Sequence, residues 1–259
     1  MSLKKNNIWD CKKDIKIGLY PDAHCHPNHD SRPLVAIAKW FAEEEVDIVV
    51  NIGDFNDMAS LSSYDKGKGK MEGARVADDL EYSRESLELF KIGLMGHDPD
   101  LIMTLGNHEN RLHRLENDDP QMKGAFGKDP FGYDEAGYFV YPYLDIVRIN
   151  GVSFSHAFIN PTSLMGSIQG GSADIRMKNI GFPHVAGHQH GPLIHGQRML
   201  GDGTPLSTLI LGCAHTENHS YWGEGRDVYR GAAVLRNVRA GSYDPDIRYL
   251  GNIIKEFLC

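Results

Sequence analysis

Seven short apolar runs, each cut off by glycine or a polar residue, constrain the fold of this chain more than any other feature. They are IKIGLY (15–20), VDIVVNIG (46–53), DLIMTLG (100–106), LDIVRING (144–151), VSFSH (152–156), HVAG (184–187) and LSTLILG (206–212). Runs of this length, rich in Ile, Val and Leu, read as buried β-strands. Between the first two lies PLVAIAKWFAEEEV (33–46), with proline in its first turn and apolar residues at helical spacing, so the chain opens as strand, helix, strand. An α/β architecture follows.

The surroundings of these runs are less regular. SLSSYDKGKGKMEGAR (60–75) is rich in glycine and lysine and reads as a mobile loop, and VADDLEYSRESLELFKIGL (76–94) reads as a long helix. Beyond about residue 206, strand-like pieces alternate with the turn-like GEGRD and GSYDPD, which suggests a second sheet built partly of antiparallel hairpins. With 259 residues, 41% apolar and 24% charged, the composition suits one domain over 1–259 carrying a loop-plus-helix insertion at about 57–97.

Charge and cysteine usage exclude several classes. A net charge of −8 argues against a broad basic surface that grips nucleic acid by phosphate neutralisation alone. Cys11, Cys25, Cys213 and Cys259 show no CxxC spacing and are too sparse for a secreted disulfide framework, so reduced thiols in a cytoplasm are expected. The basic start lacks the apolar run of a signal peptide, and nowhere do about eighteen apolar residues run together as a membrane span requires. The sequence assigns no oligomeric state.

The chemistry lies just beyond the strands. Asp22 and His24 follow the first run, Asp54 and Asp57 the second, Asn107 and His108 the third, His156 the fifth, and His188 and His190 the sixth. Ligand sites of open α/β sheets form at the carboxyl ends of strands, so these loops are expected to converge. Carboxylate, amide and imidazole donors without cysteine suit divalent ions of borderline character, such as manganese, iron, zinc, nickel or cobalt. Taken singly each element has a bland reading: a histidine at a strand end is commonly just hydrogen-bonded, and GD or GN is turn chemistry.

Their order is more specific. Asp22-Ala23-His24, Gly53-Asp54-Phe55-Asn56-Asp57, Gly106-Asn107-His108-Glu109, His156 and Gly187-His188-Gln189-His190 together resemble the five-block signature of the calcineurin-like metallophosphoesterases. The resemblance implies a four-layer αββα sandwich of two mixed β-sheets flanked by helices. It implies Asp22, His24, Asp54 and His190 around one ion and Asp54, Asn107, His156 and His188 around the other, with Asp54 bridging. His108 then resembles the family's catalytic histidine and Asp57 its orienting carboxylate. The implied reaction is hydrolysis of a phosphoester, by preference a phosphodiester in nucleic acid or a nucleotide; a phosphomonoesterase of the same fold is the runner-up. On an extended segment His188 and His190 would face one way and serve different ions.

Departures refine the resemblance. The Ser/Thr protein phosphatases carry arginine and glycine after the second block, where this chain has Met58-Ala59. The lysine-rich loop is similar instead to a stretch in phage and bacterial metallophosphoesterases. Lys66, Lys68, Lys70 and Arg75 on that loop, and Arg111 and Arg114 after the third block, are candidates for contact with substrate phosphate. His215, His219, Tyr221 and Trp222 are candidates for the pocket rim. A competing reading takes His24-Cys25-His26 as the HxH opening of an amidohydrolase or TatD-like barrel; it needs eight β/α units and leaves the later blocks without a role.

Overall fold

The computed structural model describes residues 3–5, 7–217 and 227–258. In chain order the elements are β1 (Leu3–Lys5), β2 (Ile8–Asp10), β3 (Ile15–Tyr20), α1 (Arg32–Glu43), β4 (Ile48–Asn51), α2 (Val76–Gly93), β5 (Asp100–Thr104) and α3 (Asn110–Asp118). There follow β6 (Tyr138–Tyr141), β7 (Val147–Ile149), β8 (Val152–Phe154), α4 (Ala173–Ile180), β9 (His184–Ala186), β10 (Ile194–Met199), β11 (Pro205–Ile210), β12 (Gly231–Arg239), β13 (Ser242–Tyr249) and α5 (Leu250–Leu258).

The strands form two mixed sheets. One has the order β13-β12-β3-β4-β5-β6, the other β1-β2-β7-β8-β9-β11-β10. In the first, β3, β4, β5 and β6 are parallel, and in the second β8, β9 and β11 are. Ile17, Leu19, Ile48, Val50 and Ile102 of one sheet bury against Val147, Val152, Phe154, Val185 and Leu209 of the other. Strands buried on both faces need continuous apolar runs, which is why IKIGLY and VDIVV lack polar alternation.

Helices cover the outer faces. α1 carries Pro33 in its first turn, where its fixed φ is suited, and buries Leu34, Ile37, Trp40 and Phe41 against α2, α5 and the first sheet. On the far side α4 packs on β10 and β11. The result is the αββα sandwich expected from the sequence. An eight-stranded barrel is ruled out by the two open sheets, which removes the amidohydrolase or TatD-like reading.

One expectation needs correction. The tail does not build a second sheet by itself: β11 joins the sheet of β8 and β9, while the hairpin of β12 and β13 pairs with β3 in the other. GSYDPD is mostly strand, because the turn is confined to Ala240-Gly241 and Pro245 lies on the edge strand β13, where a missing N–H is tolerated. The 57–97 stretch holds the loop and the long helix expected of it. Its first part holds two 3-10 turns, Ala59–Leu61 and Gly69–Met71, whereas α2 sends Leu87 and Phe90 into the core beside Tyr20 and Phe41. Among the described residues no helix is long and apolar enough to cross a membrane.

Candidate metal centre

Five loops meet beyond the ends of β3, β4, β5, β8 and β9. Their backbones are contorted: Asp22, His24, Asp54 and His188 have φ of 44°, 46°, 48° and 67°. Left-handed conformations cost a non-glycine residue about 1–3 kcal/mol where they are strained, and a cluster of them marks a site that the surrounding fold holds against that cost. Two glycines make the approach possible. A Cβ at Gly106 would stand 2.0 Å from Asp54 Oδ1, and one at Gly187 would stand 2.4 Å from Asp22 Oδ2.

The side chains fall into two groups that share a carboxylate. In the first, His190 Nε2 lies 2.9 Å from Asp22 Oδ1 and 3.2 Å from His24 Nε2. In the second, Asn107 Oδ1 is 2.7 Å from His188 Nδ1 and 3.1 Å from His156 Nε2. Between them stands Asp54, whose Oδ2 is 3.8 Å from His24 Nε2 and 3.3 Å from His156 Nε2. Its Oδ1 is fixed by the His108 backbone N–H at 2.9 Å.

Each ring is oriented from behind. His156 donates Nδ1–H to Ile52 O at 2.8 Å, and His24 donates Nδ1–H to Asp57 Oδ1 at 3.1 Å, so both turn Nε2 to the centre. Asp57 Oδ1 is also 3.1 Å from His108 Nδ1, and the carboxylate therefore backs two imidazoles rather than His108 alone. His108 Nε2 looks toward Asp54 Oδ2 at 3.8 Å. Both oxygens of Asp22 accept from His188 N–H, at 3.1 and 3.0 Å.

The carboxylates and imidazoles interact strongly. Burial works against ionisation of Asp22, Asp54 and Asp57, yet the neighbouring imidazoles outweigh it and hold all three carboxyls below their usual range. Burial likewise opposes a charge on His24 and His156, but Asp22 and Asp57 raise His24 to about 10, and Asp54 raises His156 to about 9. Three buried carboxylates facing imidazole and amide donors, with no thiolate, fit two divalent ions. Asp22, His24 and His190 would hold one, Asn107, His156 and His188 the other, and Asp54 both.

The remaining candidates are placed differently. Arg111 gives Nη1 to Asp57 O at 2.8 Å and Met58 O at 3.1 Å, and its Nη2 lies 3.0 Å from His108 Nε2. Arg114 is exposed on α3. Lys68 and Lys70 pair with Asp65 at 3.1 and 2.9 Å. His26 lies tilted against His29, with ring centroids 4.6 Å apart, and belongs to neither group. His215 is buried with its ring 5.3 Å from that of His24, whereas His219, Tyr221 and Trp222 lie outside the described residues. The extended geometry expected of GHQH is not found: the positive φ of His188 splays the two histidines, sending one ring to Asn107 and the other to Asp22.

One residue of importance escaped the sequence reading. Glu109 is buried, and its carboxylate accepts from the backbone N–H of Asp54 at 3.1 Å, Gly106 at 2.8 Å and Asn56 at 2.8 Å, and from Tyr133 Oη at 3.2 Å. It ties the second and third blocks together. Its presence in GNHE was visible, but nothing in the spacing told an inward clamp from a helix-start carboxylate.

No family model matches the chain, and none of the curated proteins matches it. Among solved structures it is similar to a dimetal phosphatase from Danio rerio, at 11% identity over 92% of this chain and 97% of that one, with a TM-score of 0.45. It is also similar to a purple acid phosphatase from yellow lupin (Lupinus luteus) seeds, at 11% identity over 92% of this chain, about half (52%) of that one, and a TM-score of 0.48.

Proposed function

We propose that this chain is a dinuclear metal-dependent phosphoester hydrolase, a calcineurin-like metallophosphoesterase outside the Ser/Thr protein phosphatase branch. The observation that carries the reading is Asp54 Oδ2 standing within 3.8 Å of His24 Nε2 and 3.3 Å of His156 Nε2, one carboxylate serving two donor groups. Manganese is the first candidate ion, and the free Cys11, Cys25 and Cys213 are in keeping with a reducing, cytoplasmic setting.

When bound, two divalent ions would draw phosphoryl oxygens and acidify water. The chain itself does the rest. Asp54 keeps the two positions adjacent, while Asp57 fixes the planes of His24 and His108. His108 presents Nε2 at the edge of the site and is the group placed to pass a proton to a leaving oxygen. Arg111 donates to that nitrogen in this structure and is the nearby cation a substrate phosphate would recruit, which would release Nε2 to carry the proton. Arg114 and Lys68 are weaker candidates, one without a partner role at the site and the other engaged by Asp65.

A phosphodiester in nucleic acid or a nucleotide is the proposed substrate class. The test is a panel of bis-nitrophenyl phosphate, nitrophenyl phosphate, cyclic nucleotides and single- and double-stranded DNA, assayed on chelated protein with Mn, Ni or Zn restored. The expected result is metal-dependent cleavage favouring the diester and lost in Asp54→Asn. A strong monoester preference overturns the diester assignment, and cyclic nucleotide turnover without DNA cleavage overturns the nuclease option. Protein that takes up no metal and stays inert overturns the whole reading.

A further inference from the structure

Behind the candidate centre, on the outer side of the second sheet, lies a guanidinium that no carboxylate accompanies among the described residues. Arg176 of α4 is 3% exposed, and burial alone acts on its charge. Its Nε donates to Gly171 O at 2.8 Å, its Nη1 to Gln169 O at 3.0 Å, and its Nη2 to Gln189 Oε1. Burying an arginine without a counter-ion is costly, so the contacts it makes need a reason.

Gln189 is the residue between His188 and His190. The backbone there belongs to no ladder: Gln189 N–H bonds Gly187 O at 2.7 Å, Gly191 N–H bonds Gln189 O at 2.8 Å, and His188 is left-handed. These turns are tied at Gly187, whose N–H bonds His156 O at 3.1 Å, at His188, whose N–H bonds Asp22, and at Gly191, whose carbonyl accepts from Tyr229 N–H at 2.8 Å; Gln189 between them depends on its side chain for a hold. The Gln189 amide supplies that hold from the opposite side, because Oε1 accepts from Arg176 while Nε2 donates to Gln169 O at 3.0 Å.

The same cation reaches the other strand end. Gln169 is buried, its N–H bonds Phe158 O at 2.8 Å, and its Oε1 accepts from Asn179 Nδ2 at 3.0 Å. Phe158 lies two residues beyond His156. Ala157, Phe158, Gln169, Arg176, His184 and Gln189 thus line one small cavity behind both histidine loops. A single buried side chain braces the segment after β8 and the segment after β9.

We propose that Arg176 and Gln189 are positioning residues whose guanidinium–amide contact fixes the turn that sends His188 to one metal position and His190 to the other. The inference rests on the dinuclear reading above. Neither residue touches the candidate donor atoms. They act through the direction of two imidazoles, so their loss should unbalance the two positions rather than merely loosen the fold.

The test uses the full chain with Arg176→Met, Gln189→Leu and the conservative Arg176→Lys. Half-buried Gln189 keeps its volume as leucine, which leaves a folded variant should Arg176→Met fail to fold. Stepwise Mn affinities are measured by calorimetry, exchange coupling between the ions by electron paramagnetic resonance, and stability by urea unfolding. The expected result is one Mn bound as in wild type, the second weakened roughly 10–100-fold, and the coupled-pair spectrum lost, with Arg176→Lys recovering part of both. Lower stability with unchanged stepwise affinities and an intact coupled spectrum would overturn the inference while leaving the dinuclear reading standing. A wild-type chain that binds fewer than two Mn overturns both.

Discussion

Glu109 offers a sharp test of how the centre is held. Its carboxylate is 2% exposed and accepts from four donors, three of them backbone N–H groups of residues at or beside the candidate ligand loops. In Glu109→Ala those N–H groups lose their acceptor inside the protein. Each orphaned buried donor costs about 1–3 kcal/mol, so three amount to roughly 3–9 kcal/mol before relaxation. Removing a buried carboxylate returns some of this, since burial and Asp54 both push the Glu109 pKa up and oppose its charge. The net expectation is a loss of about 3–5 kcal/mol, a large part of the ~5–15 kcal/mol typical of a domain. Glu109→Gln keeps one acceptor oxygen and should lose about 1–3 kcal/mol. Urea unfolding followed by circular dichroism measures both, and Mn titration should show weaker binding in the glutamine variant, because the Asp54 backbone is no longer clamped. If Glu109→Ala unfolded within ~1 kcal/mol of wild type, the clamp argument would be refuted.

Other perturbations separate the roles of neighbouring residues. His24→Ala should abolish tight binding of one Mn, while His26→Ala, at a ring that accepts from the Asn28 backbone N–H and lies against His29, should leave metal stoichiometry as in wild type; equal losses would contradict the geometry. Arg111→Ala should lower kcat/KM on a phosphodiester by about 10–100-fold, since it removes the cation beside His108, and unchanged kinetics would remove Arg111 from the site. His184 is 1% exposed, donates Nδ1–H to Phe182 O at 2.9 Å, accepts from Thr208 Oγ1 at 2.8 Å, and is pushed down to about 4 by burial. The unfolded chain takes up this proton near pH 6.5 and the folded chain only near 4, so stability is lost as pH falls through that window, by ~3 kcal/mol in all. His184→Gln should flatten that part of the acid slope in unfolding measured from pH 7 to pH 4, and parallel slopes would count against it.

Legibility in the sequence followed local physics. The strands that are buried on both faces announced themselves as unbroken Ile, Val and Leu runs, and α1 did so through Pro33 and its apolar spacing. Edge and hairpin strands such as β10 and β13 did not, because their outward residues are polar and Pro245 and the glycines read as turns. The candidate donor residues were visible through the order of the five blocks, since a carboxylate or imidazole at a single strand end is commonly turn or hydrogen-bond chemistry. Their supports were not. Glu109, Gln189 and Arg176 work through backbone carbonyls, N–H groups and one another, across separations no local pattern records. The splay of His188 and His190 came from one left-handed residue, where an extended segment had been expected.

The most direct test of the central claim is an anomalous-scattering map from crystals of this protein grown with manganese. The account predicts two peaks, one among Asp22, His24 and His190, the other among Asn107, His156 and His188, each within bonding distance of Asp54. A single peak, no peak, or two peaks that do not share Asp54 would contradict it.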